Sequence, residues 1–167
     1  MRATKLLIVD GYNVIHRSPE LKPSLEAGLE SARLRLALLV SAWSHDHPAH
    51  ECVIVFDGDE RVSGGGESNL AGVRCVFSRM AHGGDARIVR LVRESGGRTS
   101  DITVVSDDNF VGNNCRAHGA SVQPAGYLMT RKAQPAKRRA EIAAGGKVLD
   151  RKAAAEIDRE LRKKFGL

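Results

Sequence analysis

Two patterns of apolar and polar positions follow one another along the first 130 residues. Short and mostly continuous apolar runs, each ended by polar or turn-forming residues, are typical of buried strands. They predict strands at 6–9, 52–56, 73–77, 102–105 and, more weakly, 120–122. Apolar residues that recur every three to four positions predict helices over 24–44, 85–94 and 109–118. Strands that alternate with helices predict an α/β fold, a three-layer Rossmann-like parallel sheet flanked by helices.

The first of these helices has the clearest start signal. Ser24 follows Pro19 and Pro23 and is a good N-cap residue. The inward face of this helix is predicted to consist of Leu25, Leu29, Ala32, Leu36, Leu39 and Trp43. Residues 57–72 carry no helical pattern and contain Gly64, Gly65 and Gly66 in a row. We therefore predict a mobile loop there, with rapid amide exchange over 63–69.

Charge divides the chain at about residue 130. Residues 131–167 hold 12 Lys/Arg against 5 Asp/Glu, whereas residues 1–130 hold 14 against 15. We therefore predict a near-neutral domain over 1–130 and a basic tail over 131–167, with a terminal helix from about residue 150. Such a distribution suits a protein that binds a polyanion, although a merely solubilising tail would look the same. The candidate residues for binding a polyanion are Arg131, Lys132, Lys137, Arg138, Arg139, Lys163 and Lys164.

Composition excludes several classes of protein. No apolar run reaches the roughly 20 residues of a membrane helix, and the run at 6–9 is too short for a secretory signal. The three cysteines are far apart, which favours free thiols and a cytoplasmic location. Only 4% of residues are aromatic, so a base-stacking platform of the kind that single-strand-binding proteins use is not expected.

Acidic residues stand where the predicted strands end. Asp10 follows the first strand, Asp57 the second, Asp107 and Asp108 the fourth, and Asp85 opens a helix. The carboxyl ends of parallel strands meet at one edge, where open α/β sheets bind ligands. Carboxylates gathered there repel one another unless a cation is present, and oxygen ligands suit Mg²⁺ or Mn²⁺. Each aspartate taken singly is also a common helix cap or turn residue.

The segment Asp10-Gly11-Tyr12-Asn13-Val14-Ile15 resembles the signature of the NYN domain, a branch of the PIN-like metal-dependent nucleases. The order of the later motifs is similar to that of bacterial YacP-like members. These motifs are VIVFDG at 53–58, Asp-x-x-Ile at 85–88 and TVVSDD at 103–108. The resemblance covers roughly residues 5–128 and implies a PIN-like fold.

The resemblance also implies roles for individual residues. Asp10, Asp85 and Asp108 match the metal-binding, catalytic carboxylates, with Asp57 and Asp107 as further candidate ligands. Asn13 matches the signature amide that orients substrate or water. The chain departs from the family where further acidic or amide residues often stand, since it has His82, Val89 and, at 110–112, Phe-Val-Gly.

These observations favour a Mg²⁺- or Mn²⁺-dependent endoribonuclease that cleaves RNA phosphodiesters, with the ribosome as a further partner by analogy with the family. The alternative is an RNA- or ribosome-binding module whose catalytic site has degraded, which the missing acids favour. A hydrolase of small phosphate esters is a third hypothesis, and the basic tail argues against it because a small substrate does not need one.

Other constellations are weaker. His45, His47 and His50 could hold zinc, but loop histidines are usually solvated. The glycine run at 64–66 is not followed by Lys-Ser/Thr, which excludes a P-loop. Ser106 lies beside two aspartates, but the sequence around it does not form a Gly-x-Ser-x-Gly elbow.

Overall fold

A computed structural model of the chain describes residues 5–57, 66–78, 83–95 and 101–133. The strands are β1 (Lys5–Asp10), β2 (His50–Phe56), β3 (Gly66–Leu70), β4 (Val73–Phe77), β5 (Ile102–Val105) and β6 (Ser121–Gln123). The α-helices are α1 (Gly11–Arg17), α2 (Leu29–Asp46), α3 (Gly83–Glu94) and α4 (Asn109–Ala117). Two 3₁₀ helices span Lys22–Ala27 and Ala125–Ala133.

The six strands form one sheet in the order β3-β4-β2-β1-β5-β6. All neighbouring strands are parallel except β3 and β4. β1 lies between β2 on one side and β5 on the other. The chain therefore builds the sheet in opposite directions from β1, and the connections diverge at its carboxyl end. Ligand sites of open α/β sheets lie at such a divergence.

Helices cover both faces of the sheet, which confirms the predicted three-layer α/β fold. Alternate residues of β1 point to opposite faces. Leu7 and Val9 lie in one core with residues of α1, α2 and the second 3₁₀ helix, while Ile8 lies in the other core with residues of α3 and α4. Each fully buried aliphatic side chain of these cores stabilises the fold by about 1.5–3 kcal/mol.

The helix predicted over 24–44 is two elements. Gly28 has a φ of +111° and separates the first 3₁₀ helix from α2, so Ser24 is not the N-cap of α2. The Ser24 hydroxyl instead donates to the carbonyl of Leu21. Leu29, predicted to face inward, begins α2 and is 48% exposed. Helix α1 was not predicted from the sequence at all.

The loop predicted over 57–72 is wrong for residues 66–70. These residues form the edge strand β3, which pairs antiparallel with β4. Most of β3 is exposed, so apolar patterning cannot mark it. Backbone pairing is supported by Arg74, whose Nε donates to Glu67 Oε2 at 3.1 Å. The earlier part of the predicted loop, at 58–65, lies outside the described residues, as does the helix predicted from residue 150.

A two-residue turn joins β3 to β4 and gives a first testable prediction. Ala71 and Gly72 both have positive φ, +50° and +80°, which is the type I′ geometry that favours Asn-Gly. We expect Ala71→Asn to raise the free energy of unfolding by about 0.5–1 kcal/mol, or the thermal midpoint by about 2 °C. Ala71→Val, which is β-branched, should lower it. Thermal unfolding of both variants checks this, and equal midpoints would contradict it.

Candidate active site at the carboxyl end of the central strand

Asp10 is the last residue of β1 and the centre of the candidate site. Its side chain is only 8% exposed. The pKa of its carboxyl is raised from 3.8 to about 6, mainly by burial and also by the charges of Asp85, Asp108 and Asp57, against a hydrogen bond from Ser106 that lowers it. The negative charges of three other predicted site residues therefore act on the Asp10 carboxyl at this edge of the sheet.

Ser106 fixes the Asp10 carboxylate. The sheet register pairs Val9 with Val105, which brings the next residue on each strand together. The Ser106 hydroxyl donates to Asp10 Oδ2 at 2.8 Å and accepts from the backbone N–H of Asp108 at 3.0 Å. Ser106 is 4% exposed, so neither bond competes with bulk water. This role was not predicted from the sequence, where the only signal for it is a small hydroxyl directly after β5.

Asp108 is the N-cap of α4. Its Oδ1 accepts from the backbone N–H of Val111 at 3.0 Å. A carboxylate has two oxygens, and this bond occupies one oxygen and fixes the orientation of the other. Asp108 therefore combines the structural role that any cap residue has with a position at the edge where the other acids stand.

Asn13 connects α1 to the β5–α4 turn. Its Oδ1 accepts from the backbone N–H of Asp107 at 2.9 Å. With the carbonyl oxygen engaged, the amide retains its NH₂ group as a hydrogen-bond donor. Asn13 thus positions the turn that carries Ser106 and Asp108. The Asp107 side chain itself is exposed.

Asp57 and Asp85 also belong to this edge of the sheet. Asp57 follows β2, and its Oδ1 accepts from the Ser78 hydroxyl at 3.1 Å. Asp85 stands in the first turn of α3 and is partly buried. The charges of both act on the Asp10 carboxyl, so both lie close enough to contribute to the electrostatics of the site.

The site offers carboxylate oxygens, which are the ligands that Mg²⁺ and Mn²⁺ prefer. A bound cation would also stabilise the charged form of Asp10, which burial disfavours. Within the described ranges, no three acidic, histidine or cysteine side chains form a group close enough to ligate one ion together. Mg²⁺ commonly binds through one or two carboxylates and keeps several waters. The residues present therefore fit a partly hydrated ion.

Two of the three histidines predicted to share a loop, His47 and His50, form a ring cluster with Trp43, whereas His45 lies within α2. The rings of Trp43 and His47 stack at 3.8 Å between centroids, and His50 meets the Trp43 ring edge-on at 5.0 Å. Burial lowers the pKa of His50, with the charges of His47 and Lys5 lowering it further. His47 Nδ1 lies 2.7 Å from the carbonyl oxygen of Trp43. The rings of His47 and His50 therefore pack on Trp43.

Most of the basic residues singled out in the tail lie outside the described residues. Lys137, Arg138, Arg139, Lys163 and Lys164 lie outside the described residues, as does His82. Arg131 and Lys132 belong to the second 3₁₀ helix. In the parts of the chain that are described, no helix has the length and apolar character of a membrane span.

Comparison with known proteins places these features in a family. The YacP-like NYN domain family matches residues 7–166, which includes most of the basic tail. No curated protein sequence matches the chain.

Two solved structures share the fold. The crystal structure of a tryptophan-to-leucine mutant of Rae1 (YacP) from Bacillus subtilis has a TM-score of 0.62 at 25% identity, covering 81% of this chain and 78% of that one. The structure of Rae1 (YacP) without that mutation has a TM-score of 0.58 at 24% identity, covering 96% and 92%. The family match supports a nuclease-type or RNA-related domain. The chain belongs to the YacP-like NYN domain family.

Proposed function

We propose that the protein is a divalent-metal-dependent endoribonuclease whose catalytic centre lies at the carboxyl end of β1. The observation that carries this proposal is the buried Asp10 carboxylate, whose pKa is raised to about 6 beside the charges of Asp85, Asp108 and Asp57. Burying one carboxylate where the charges of three others act on it is unfavourable for a fold that uses these acids only as caps.

In this proposal one or two of Asp10, Asp85 and Asp108 would ligate Mg²⁺ or Mn²⁺ directly and the others would act through water bound to the ion, with Asp57 and Asp107 as further candidate ligands. A bound cation of this kind polarises a phosphoryl oxygen and makes water more acidic. Hydrolysis adds water across one P–O bond and leaves a phosphate monoester and a hydroxyl.

The chain's own residues position these groups. Ser106 holds Oδ2 of Asp10, and Asn13 holds the turn that carries Asp108. Since both hydrogen bonds connect separate segments, they preorganise the carboxylates before substrate arrives.

A direct test uses labelled RNA and the full-length protein, with and without Mn²⁺. We expect cleavage only with the metal. Absence of cleavage under both conditions, together with retained RNA binding, would support the alternative, an RNA- or ribosome-binding module with a degraded site. That alternative is favoured by the absence of a three-ligand group among the residues that the structure describes. Association with the ribosome is a further proposal, and co-sedimentation of the protein with ribosomes tests it.

The basic tail is proposed to bind the RNA backbone. Each phosphate contact on single strands contributes about 0.7 to the slope of log K against log salt. Replacing Lys137, Arg138 and Arg139 together by Gln should therefore reduce this slope by about 2. The matched control exchanges Lys and Arg at the same three positions and should keep the slope. Fluorescence anisotropy over a salt series measures both, and an unchanged slope in the Gln variant would show that these residues do not contact RNA.

A further inference from the structure

A groove between α3 and α4 opens next to the candidate active site. Its volume is about 630 Å³, and it is lined by Ala86, Val89, Arg90, Arg93, Glu94 and Phe110. Each wall lies close in sequence to a site residue, because Ala86 directly follows Asp85 and Phe110 comes two residues after Asp108. A strand of RNA held at the acidic centre would therefore have its neighbouring nucleotides near this groove.

Phe110 is the most unusual residue of the groove. It lies in the first turn of α4 and is 59% exposed, the largest value among the exposed large hydrophobics of the described ranges. An exposed phenyl ring adds little to the stability of the folded chain, since it stays in contact with water. Its planar face is available to stack on another flat group.

The opposite wall carries positive charge. Arg90 Nε lies 2.6 Å from Glu94 Oε1, so these two side chains neutralise each other at the surface. Arg93, in the last turn of α3, leaves the groove with a net charge of one positive unit. The groove thus combines one aromatic face with one cationic wall, next to a centre proposed to act on a phosphodiester.

We propose that this groove is a subsite for one unpaired nucleotide of single-stranded RNA, with the base stacked on Phe110 and a neighbouring phosphate paired with Arg93. This inference rests on the proposed function, since it takes RNA as the substrate class. Proteins that bind single strands combine aromatic stacking with a basic groove in this way, and one ring serves one base. A base inside a duplex cannot reach the ring, so the subsite selects unpaired RNA.

The test measures binding of a short fluorescent single-stranded RNA to the full-length protein without divalent metal. Loss of one stacked base corresponds to a loss in affinity of about 5- to 100-fold. We expect Phe110→Ala to show this loss, Phe110→Trp to retain wild-type affinity, and Phe110→Leu to behave like Phe110→Ala. The matched control is Leu38→Ala, which removes a 55% exposed apolar side chain from α2 and should leave RNA affinity unchanged.

An abasic substitution separates stacking from folding effects. In wild type, moving one abasic nucleotide along the RNA should reveal one position where affinity falls as it does in Phe110→Ala. The Phe110→Ala variant should bind the RNA that is abasic at that position as tightly as it binds the intact RNA. Arg93→Gln should lower the salt slope by about 0.7, whereas Phe110→Ala should leave the slope unchanged.

The outcomes distinguish this inference from the proposed function. If the protein cleaves RNA but Phe110→Ala binds it as wild type does, the subsite is wrong and the nuclease assignment stands. If Phe110 is required for binding but RNA is never cleaved, the subsite stands and the nuclease assignment is wrong. The subsite would also be contradicted if Phe110→Ala lost the same affinity for single-stranded and for duplex RNA. It would likewise be contradicted if Phe110→Ala lost binding to a protein partner but kept wild-type affinity for RNA.

Discussion

Asp10→Asn is expected to abolish RNA cleavage while making the metal-free protein more stable. The substitution removes one charge from a cluster of four acids and keeps an oxygen for the Ser106 hydroxyl. Loss of a carboxylate proposed to hold the metal should lower the cleavage rate by about 100-fold or more. Gain of stability and loss of activity together distinguish a functional acid from a structural one.

The stability change has a defined pH dependence. The pKa of Asp10 is raised from 3.8 to about 6 in the folded chain, so the folded state binds more protons than the unfolded state between these values. This contribution to the free energy of unfolding is present below about pH 4 and is lost as the pH rises through 6, by about 2–3 kcal/mol. Asp10→Asn cannot show that loss, so at pH 7.5 its thermal midpoint should be higher by about 5 °C.

Thermal unfolding between pH 4 and pH 8, without metal, measures this effect. Asp101→Asn provides the control, because it removes an exposed acid outside the cluster and should change neither stability nor cleavage. In wild type, a divalent cation at a hundred times its dissociation constant should add about 2.7 kcal/mol of stability, and Asp10→Asn should lose most of this gain. A lower midpoint for Asp10→Asn, with no metal effect in wild type, would show that these acids are structural.

Gly11→Ala is expected to be the most damaging single-methyl change near the site. In most helices alanine is more favourable than glycine by up to about 1 kcal/mol. Here an added Cβ would lie 2.5 Å from two ring carbons of Phe56 and 3.0 Å from the carbonyl oxygen of Val55. Such overpacking costs about 1–3 kcal/mol, which should lower the thermal midpoint by about 3–10 °C.

Two further variants make this result decisive. Gly126→Ala adds a methyl group to a helical glycine whose Cβ would meet nothing within 4 Å, and its midpoint should stay near that of wild type. Phe56→Leu removes ring atoms, so the double variant with Gly11→Ala should lose less than the two single losses added together. A midpoint for Gly11→Ala above that of wild type would show that α1 has room to move.

Strands with continuous apolar runs were predicted within about two residues of their observed ends, because burial on both faces requires apolar residues at consecutive positions. β3 has no such apolar run, since it is an exposed edge strand held by backbone pairing. The seven-residue helix α1 was missed because it is short and begins at a glycine. The split between the first 3₁₀ helix and α2 depends on the backbone angle of Gly28.

The sequence predicted one part of the candidate site and could not predict another. Topology alone predicts that acids after parallel strands meet at one edge, and Asp10 does respond to the charges of Asp57, Asp85 and Asp108. Their metal-binding and catalytic roles stay predictions. The sequence could not assign Ser106 or the oxygen of Asn13 to specific contacts, because these depend on the register between β1 and β5.

The hydrogen bond between Asp10 and Ser106 joins residues 96 positions apart. Contacts of such long range form late in folding, because a large loop must close before they are made. During synthesis from the amino terminus, β1, α2 and β2 can assemble long before β5 exists. The acidic centre is therefore completed only when most of the domain has been made, and the proposed metal affinity should report the final stage of folding.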